Sequence, residues 1–279
     1  MTPRRVLAVR PQPDLIALLG SGLDPARDEL ESCSGDVEAL QRVRARAIDV
    51  VITDPASSVT EDVALATELQ RVRPAVKVIV LAEDAAPAEL VEAMRAHVFA
   101  CFTSPFDHGE IAAMASNALM VDNWRDGIEV ISGSNHWLTL RVACHLLTAD
   151  RLTRFMTELQ PAALPCDRDL LIGAFREMLL NAMEHGAGFD PDQVIEVTAA
   201  RTARALVFHF KDPGRGFRPT ELEHAVTSAN PELLLAAAMR RAAMGLRPGG
   251  FGMLIARQVA DELVYNEPGN EALLIKHLD

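Results

Sequence analysis

The stretch FREMLLNAMEHG, residues 175–186, decides the fold of the second half of this 279-residue chain. At about 100° per residue, its apolar positions and those just before it form one stripe of an amphipathic helix. Glu177, Asn181 and Glu184 fall within about 60° of one another at the margin of that stripe. For this helix taken alone, a solvated polar face is a better interpretation than a ligand site. The stripe consists of Leu171, Ala174, Phe175, Met178 and Ala182.

A second segment, FHFKDPGRGF at residues 208–217, runs a predicted strand directly into Asp212. Gly214 and Gly216 permit a tight backbone turn beside a ligand. Turns at strand ends commonly use Asp and Gly, so this segment alone gives weak support for a binding site.

A third segment, GLRPGGFGMLIARQVADEL at residues 245–263, places three glycines at the start of a predicted helix. Free amides at a helix N-terminus bind anions such as phosphates. A closely packed loop would use the same glycines, so the combination of segments is more specific than any one of them. The glycines are Gly249, Gly250 and Gly252.

In this order, the three segments resemble the N, G1 and G2 boxes of the GHKL ATPase superfamily, which includes gyrase, histidine kinases and anti-sigma-factor serine kinases. EMLLNAMEHG (177–186) and GGFGM (249–253) are most similar to the serine-kinase branch of bacterial partner switching. The resemblance covers residues 135–279. It implies an α/β sandwich of the Bergerat type, with ATP and Mg²⁺ as cofactors.

The same resemblance implies a role for each matching residue. Glu177 would be the general base that orients water or a protein hydroxyl for attack on the γ-phosphate. Asn181 would hold Mg²⁺ through its amide oxygen. Asp212 would accept a hydrogen bond from the adenine amine, while Gly214 and Gly216 admit the base. The phosphates would be contacted by Gly249, Gly250 and Gly252, with Arg247 and Arg215 as cationic helpers.

On the adenine side the chain departs from the family pattern. Many relatives have a threonine in the last strand, but this chain reads GNEALLIKHL (269–278) and has Asn270 or Glu271 in that neighbourhood. The ATP lid would be segment 217–248.

The first part of the chain follows a different pattern. From residue 4 to about 121, five β-rich runs alternate with five helical patterns, which predicts a doubly wound (βα)5 parallel sheet. The pattern resembles a response-regulator receiver, with Asp54 at the end of the third strand as the phosphorylated aspartate. Other receiver-site positions have changed, so we predict a pseudo-receiver in which Asp54 is a degenerate phosphoacceptor. Arg10 and Pro11 replace the metal carboxylates, Ala82 replaces a Ser or Thr, and Ser104 replaces a lysine.

These patterns place the pseudo-receiver at 1–124, a linker at 125–134 and the ATPase domain at 135–279. Strands and helices after the linker predict helices on one side of a mixed sheet. The segment between the domains is too short for the helix pair that carries a phosphoacceptor histidine. His136 and His145 are therefore interpreted as ordinary strand or interface histidines.

Composition limits the partners. A formal charge of −12 argues against a nucleic-acid backbone or a membrane surface as the main partner. No apolar run approaches the roughly 20 residues of a membrane span, and the N-terminus lacks a signal-peptide core. These features predict a cytoplasmic protein whose four dispersed cysteines are reduced.

Three functions remain open at this point. The first is an ATP-dependent serine/threonine protein kinase of the anti-sigma-factor type, acting on an anti-sigma-antagonist-like protein. The second is a nucleotide-gated module that sequesters a sigma factor or similar partner without catalysis. The third is the catalytic half of a split histidine kinase. Relatives of the second domain often dimerise, so the resemblance also suggests a homodimer.

Overall fold

The computed structural model describes residues 3–121, 124–160, 167–216 and 252–278. The chain divides between Asp126 and Gly127 into two compact units. Three predicted phosphate-site residues lie outside the described residues, as does the predicted lid over 217–248. These three are Arg247, Gly249 and Gly250.

The N-terminal unit alternates strands and helices. Its strands are β1 (Arg4–Val9), β2 (Asp28–Cys33), β3 (Val50–Ile52), β4 (Lys77–Ala82) and β5 (Ala100–Thr103). Its helices are α1 (Pro13–Gly22), α2 (Asp36–Ala45), α3 (Val59–Val72), α4 (Pro87–Arg95) and α5 (His108–Leu119). All strand pairs are parallel, in the order β2-β1-β3-β4-β5. This is the flavodoxin-like doubly wound order, so the predicted (βα)5 fold is confirmed.

The local sequence explains where these elements begin. The central strands β3 and β4 are buried throughout, as expected for a parallel sheet covered on both faces. Helix α5 begins after Asp107, whose carboxylate accepts a hydrogen bond from the Glu110 N–H. Helix α3 begins with a capping box between Ser58 and Glu61.

A buried carboxyl group makes the stability of this unit depend on pH. Asp62 on α3 is 2% exposed and contacts two hydroxyl groups, with Thr53 Oγ1 at 2.6 Å and Ser57 Oγ at 2.8 Å. Ser57 Oγ also lies 2.6 Å from the main-chain oxygen of Asp54. A serine has one hydroxyl proton, so a proton on Asp62 lets both Ser57 contacts form. Burial raises the pKa of Asp62 to about 6 from an ordinary 3.8, although the two hydroxyl groups act in the opposite direction.

Because the folded protein binds this proton more tightly than the unfolded chain, stability should fall as pH rises from about 4 to about 7. We expect the free energy of unfolding to drop by about 2 kcal/mol through this one group. Urea titrations across that range would show the slope, and Asp62→Asn should flatten it. Asp212 also has a raised pKa but is present in both proteins, so their difference isolates Asp62. Equal slopes in the two proteins would contradict the assignment.

The C-terminal unit has an antiparallel sheet with helices packed on one face. Its strands are β6 (Ile128–Ser134), β7 (Trp137–Ala143), β8 (Val194–Arg201), β9 (Ala205–Lys211), β10 (Glu262–Tyr265) and β11 (Glu271–His277). Its helices are α6 (Leu146–Leu159), α7 (Arg168–Asn181) and α8 (Gly252–Val259), with a π-helical turn at Ala182–Gly186. The strand order is β10-β11-β9-β8-β7-β6, and every pair is antiparallel where a mixed sheet was predicted. The predicted two-layer α/β architecture is confirmed.

Two boundaries differ from the sequence prediction. Residues 128–134, which were assigned to a linker, form strand β6 because a tight turn pairs them with β7. The helix predicted within the segment 245–263 ends at Val259, and strand β10 follows. The chain joins the sheet there because the Asp261 N–H donates to the Ile275 carbonyl and its carboxylate accepts from the His277 N–H. Within the described part of the chain, no helix is long and apolar enough to cross a membrane.

Candidate nucleotide site

Helix α7 carries the two side chains predicted to act on phosphates. Its apolar stripe is buried as predicted, and the Phe175 ring packs 5.1 Å from Phe208 and 5.2 Å from Phe210 on β9. This packing fixes the rotation of α7 over the sheet. Glu177 and Asn181 then lie at the edge of the buried face, with the Glu177 side chain 20% exposed.

The surroundings of Glu177 are charged. On the same helix, Arg176 donates two hydrogen bonds to Asp150 on α6, at 2.6 and 3.1 Å. This pair orients the Arg176 guanidinium, whose Nη1 lies 4.0 Å from the Glu177 carboxylate.

The regular α-helix ends at Asn181, earlier than the sequence predicted. Residues 182–186 form a π-helical turn, a feature that is frequent at functional sites. The extra residue in this turn displaces Glu184 from the helical line calculated for it. Glu177 and Asn181 therefore remain aligned on α7, and Glu184 belongs to a separate local structure.

The π-helical turn brings the opening stretch against Asp212. A Cβ atom added at Gly186 would lie 2.2 Å from the Asp212 Cγ, and one added at Gly214 would lie 2.7 Å from the Gly186 carbonyl oxygen. Only glycine permits contacts this close. The structure thus joins the first two predicted segments, and it adds Gly186, which the sequence prediction had not included among the site residues.

Hydrogen bonds hold both the side chain and the backbone of Asp212 at the end of β9. Its carboxylate accepts a hydrogen bond from the Gly214 N–H at 2.8 Å, and its own N–H donates to the Asn270 carbonyl at 3.0 Å. Burial raises the pKa of Asp212, and the Gly214 N–H partly opposes that change. A half-buried carboxylate oriented in this way is suited to accept a hydrogen bond from a ligand amine.

The adenine-side position left open by the sequence is occupied by Asn270. The Asn270 side-chain amide donates to the Asp212 carbonyl at 3.4 Å, and its amide oxygen accepts from Asn266 at 2.9 Å. Glu271 instead lies beside His209 and Lys211 on the other face of the sheet. Of the two candidates, Asn270 is therefore the one next to Asp212.

A turn after β10 closes this side of the site. The Asn266 side-chain oxygen accepts hydrogen bonds from the Gly269 and Glu271 amides, at 2.8 and 3.0 Å. Gly216 has a φ of +77°, and a Cβ added there would lie 1.9 Å from the Pro268 carbonyl oxygen. Asn266 was not identified from the sequence, although an Asn four residues before Asn270 in a Pro-Gly turn is a recognisable turn signal.

The third segment is described only from Gly252, which begins α8. This helix packs against α7, so its N-terminus belongs to the same layer as Glu177 and Asn181. The phosphate contacts assigned to Arg247, Gly249 and Gly250 stay predictions. His145, which was interpreted as an ordinary residue, accepts the Leu147 N–H at the start of α6.

The described residues fit an adenine nucleotide. Glycines at 186 and 214 let the backbone pack directly around Asp212, and Gly216 does the same against Pro268. This glycine cradle holds Asp212, which offers a carboxylate acceptor. The amide oxygen of Asn181 is a hard donor of the kind that Mg²⁺ prefers.

The receiver-like site of the N-terminal unit contains different chemistry. Asp54 follows β3 as predicted, and Arg10 follows β1 where receivers have acidic residues. The Arg10 Nε lies 3.0 Å from Asp54 Oδ2, and its Nη1 lies 2.9 Å from Asp36 Oδ1. Hydrogen bonding to Asp54 is the main cause that raises the pKa of Arg10. A guanidinium in this position does not fit a Mg²⁺ site.

The C-terminal unit is similar to a known domain family. Residues 148–276 match the family described as histidine kinase-like ATPase domain. The match covers a little under half of the chain, so the C-terminal unit is similar to that family, and it follows a unit with the doubly wound strand order.

Other similarities concern regulatory proteins. The chain is 26% identical over 132 residues to the transcriptional regulatory proteins GlrR of Escherichia coli K12 and QseF of E. coli O157:H7. These matches cover 45% of this chain and 30% of each relative, so the chain spans under a third of their length.

Solved structures of response-regulator receivers are also similar to part of this chain. A response regulator from Thermotoga maritima has 18% identity and a TM-score of 0.38, covering 43% of this chain and all of that chain. A CheY-like receiver from Methanospirillum hungatei has 18% identity and a TM-score of 0.37, covering 42% of this chain and 94% of that one. With TM-scores this low, the assignment of the fold rests on the strand order described above.

Proposed function

We propose that the protein is an ATP-binding signalling protein that phosphorylates a serine or threonine of a partner, as anti-sigma-factor kinases do in partner switching. One observation carries the proposal: Gly186, at the end of the segment with Glu177 and Asn181, packs directly on Asp212. This contact supports the proposal because the proposed base, metal ligand and adenine acceptor then belong to one unit.

Each candidate site residue that the structure describes has a physical role in this proposal. Asp212 binds the adenine amine, and the glycine cradle lets the base approach its carboxylate. Asn181 holds Mg²⁺, which supplies neutralisation of the charge on the phosphates. Glu177 orients the attacking hydroxyl and takes its proton, and such positioning is the main contribution of protein groups to phosphoryl transfer.

The proposed partner is an anti-sigma-antagonist-like protein, and the proposed compartment is the cytoplasm. The net charge of −12 favours a protein partner over nucleic acid or an anionic membrane. A homodimer is part of the same proposal, and sedimentation of the full chain with and without ATP would measure it.

The test is transfer of labelled phosphate from ATP and Mg²⁺ to candidate partners encoded beside this protein. The expected product is an acid-stable phosphoserine or phosphothreonine on the partner. An acid-labile phosphate on histidine would replace the proposal with a split histidine kinase. Partner release on ATP binding without any transfer would replace it with a nucleotide-gated sequestering module.

A further inference from the structure

The N-terminal unit contains a charged cluster that the nucleotide site does not use. It joins three parts of the fold: the residue after β1, the residue pair after β3 and the first turn of α2. One guanidinium, from Arg10, lies between two carboxylates, those of Asp54 and Asp36. The Asp54 side chain is 12% exposed, whereas the side chains of Arg10 and Asp36 are 35% and 46% exposed, so the Asp54 end of the cluster is the part shielded from water.

The backbone is shaped to place Arg10 there. Arg10 has a φ of +44°, a left-handed conformation that is uncommon for a residue with a side chain. Its N–H donates to the Cys33 carbonyl at 2.9 Å, which fixes the turn after β1. A Cβ added at Gly35 would lie 3.2 Å from Arg10 Nη1, so glycine there leaves room for the guanidinium.

Both oxygens of the Asp54 carboxylate are engaged. Oδ2 accepts from Arg10 Nε at 3.0 Å, and Oδ1 accepts from the Ala56 N–H at 2.9 Å. A carboxylate oxygen must be available as a nucleophile, and a divalent cation must sit beside it, before it can accept a phosphoryl group. In this unit the cation position next to Asp54 is filled by a side chain of the protein itself.

We infer that Arg10 is the resident cation of this site and clamps the β1–α1 loop, the β3–α3 loop and the start of α2 in one state. The N-terminal unit then presents a fixed surface whose conformation does not depend on phosphorylation of Asp54. The inference concerns this unit alone and stands independently of the proposed kinase activity.

Hydrogen exchange on the full-length protein tests the clamp. Arg10→Ala should raise the exchange rates of amides in residues 35–38 and 54–58 by about tenfold or more, because the loops lose their shared partner. The matched control is Arg5→Ala on β1, which removes an ion pair with Glu29 on β2. That control should leave both segments unchanged. Unchanged exchange in Arg10→Ala would overturn the clamp.

Metal binding gives a second and independent readout. With Arg10 removed, the carboxylates of Asp54 and Asp36 lose the cation that lies between them. Arg10→Ala should therefore bind Mn²⁺, measured without nucleotide by the loss of free Mn²⁺ signal. Wild type should lack this site, and adding Asp54→Asn to Arg10→Ala should abolish it. Equal Mn²⁺ binding by wild type and Arg10→Ala would overturn the inference.

Phosphorylation completes the test. Wild type incubated with Mg²⁺ and acetyl phosphate should gain no phosphate on Asp54 by intact mass, and a stoichiometric acyl phosphate there would overturn the inference. If Arg10→Ala does not fold, Arg10→Lys keeps the charge but cannot reach two carboxylates through one planar fork. It should then show faster exchange in residues 35–38 with wild-type secondary structure, and wild-type exchange in that segment would overturn the clamp.

Discussion

The variant Gly186→Ala should lose at least tenfold in affinity for adenine nucleotides. Its added methyl group would lie 2.2 Å from Asp212 Cγ and 2.3 Å from Asp212 Oδ1, so the carboxylate proposed to bind adenine must move. Overpacking of this kind also costs about 1–3 kcal/mol in the free energy of unfolding. Titration of a fluorescent ATP analogue and urea unfolding would measure the two effects separately.

The chain provides a matched control on the same helix. Gly173 lies in α7 with no atom within 4 Å of an added Cβ. Gly173→Ala should therefore bind nucleotide as wild type does and gain up to about 1 kcal/mol in stability, because alanine favours the helix. If Gly186→Ala matched wild type in both measurements, the contact between the two segments would be wrong. If Gly186→Ala lowered the stability but left the nucleotide affinity normal, the contact between the two segments would be supported and the binding of adenine by Asp212 would be wrong.

Elements of this protein were predictable from periodicity because their patterns are local. The apolar stripe of α7 was predicted and is observed. Strand β6 was missed because Ser-Gly-Ser at its end is typical of a turn, and only pairing with β7 makes it a strand. The helix predicted in the segment 245–263 ends at Val259, before the end of that segment. Its end depends on a contact between distant residues, because the Asp261 carboxylate accepts a hydrogen bond from the His277 N–H of β11.

The candidate site was predictable in its residue types but not in its contacts. Gly186 and Asp212 are far apart in sequence, and no spacing rule indicates that they touch. Likewise, the replacement of receiver carboxylates by Arg10 was visible in the sequence, but its reach to both Asp54 and Asp36 was not. The Arg10 contacts depend on how loops from separate strands converge at one edge of a parallel sheet, and the Gly186 contact depends on how the turn after α7 meets the end of β9.

Glu177→Gln should reduce phosphate transfer to the partner by about 100-fold or more, a typical loss when a general base is removed. The change keeps the size and hydrogen-bonding capacity of the side chain but removes its ability to take a proton. Glu177 lies on α7 near Asn181 and does not belong to the Asp212 cradle, so nucleotide affinity should stay within about twofold of wild type. Single-turnover transfer and equilibrium nucleotide binding would separate the two quantities.

Glu184→Gln is the matched control, because Glu184 is the other carboxylate of the predicted polar line and lies in the π-helical turn beyond the end of α7. It should retain transfer, since a base must be aligned with the metal ligand to reach the hydroxyl that attacks the phosphate. Equal losses in both variants would indicate a general effect of charge instead of a base at Glu177. Full transfer by Glu177→Gln would assign the proton to the partner or to solvent, and the site would then act by positioning ATP alone.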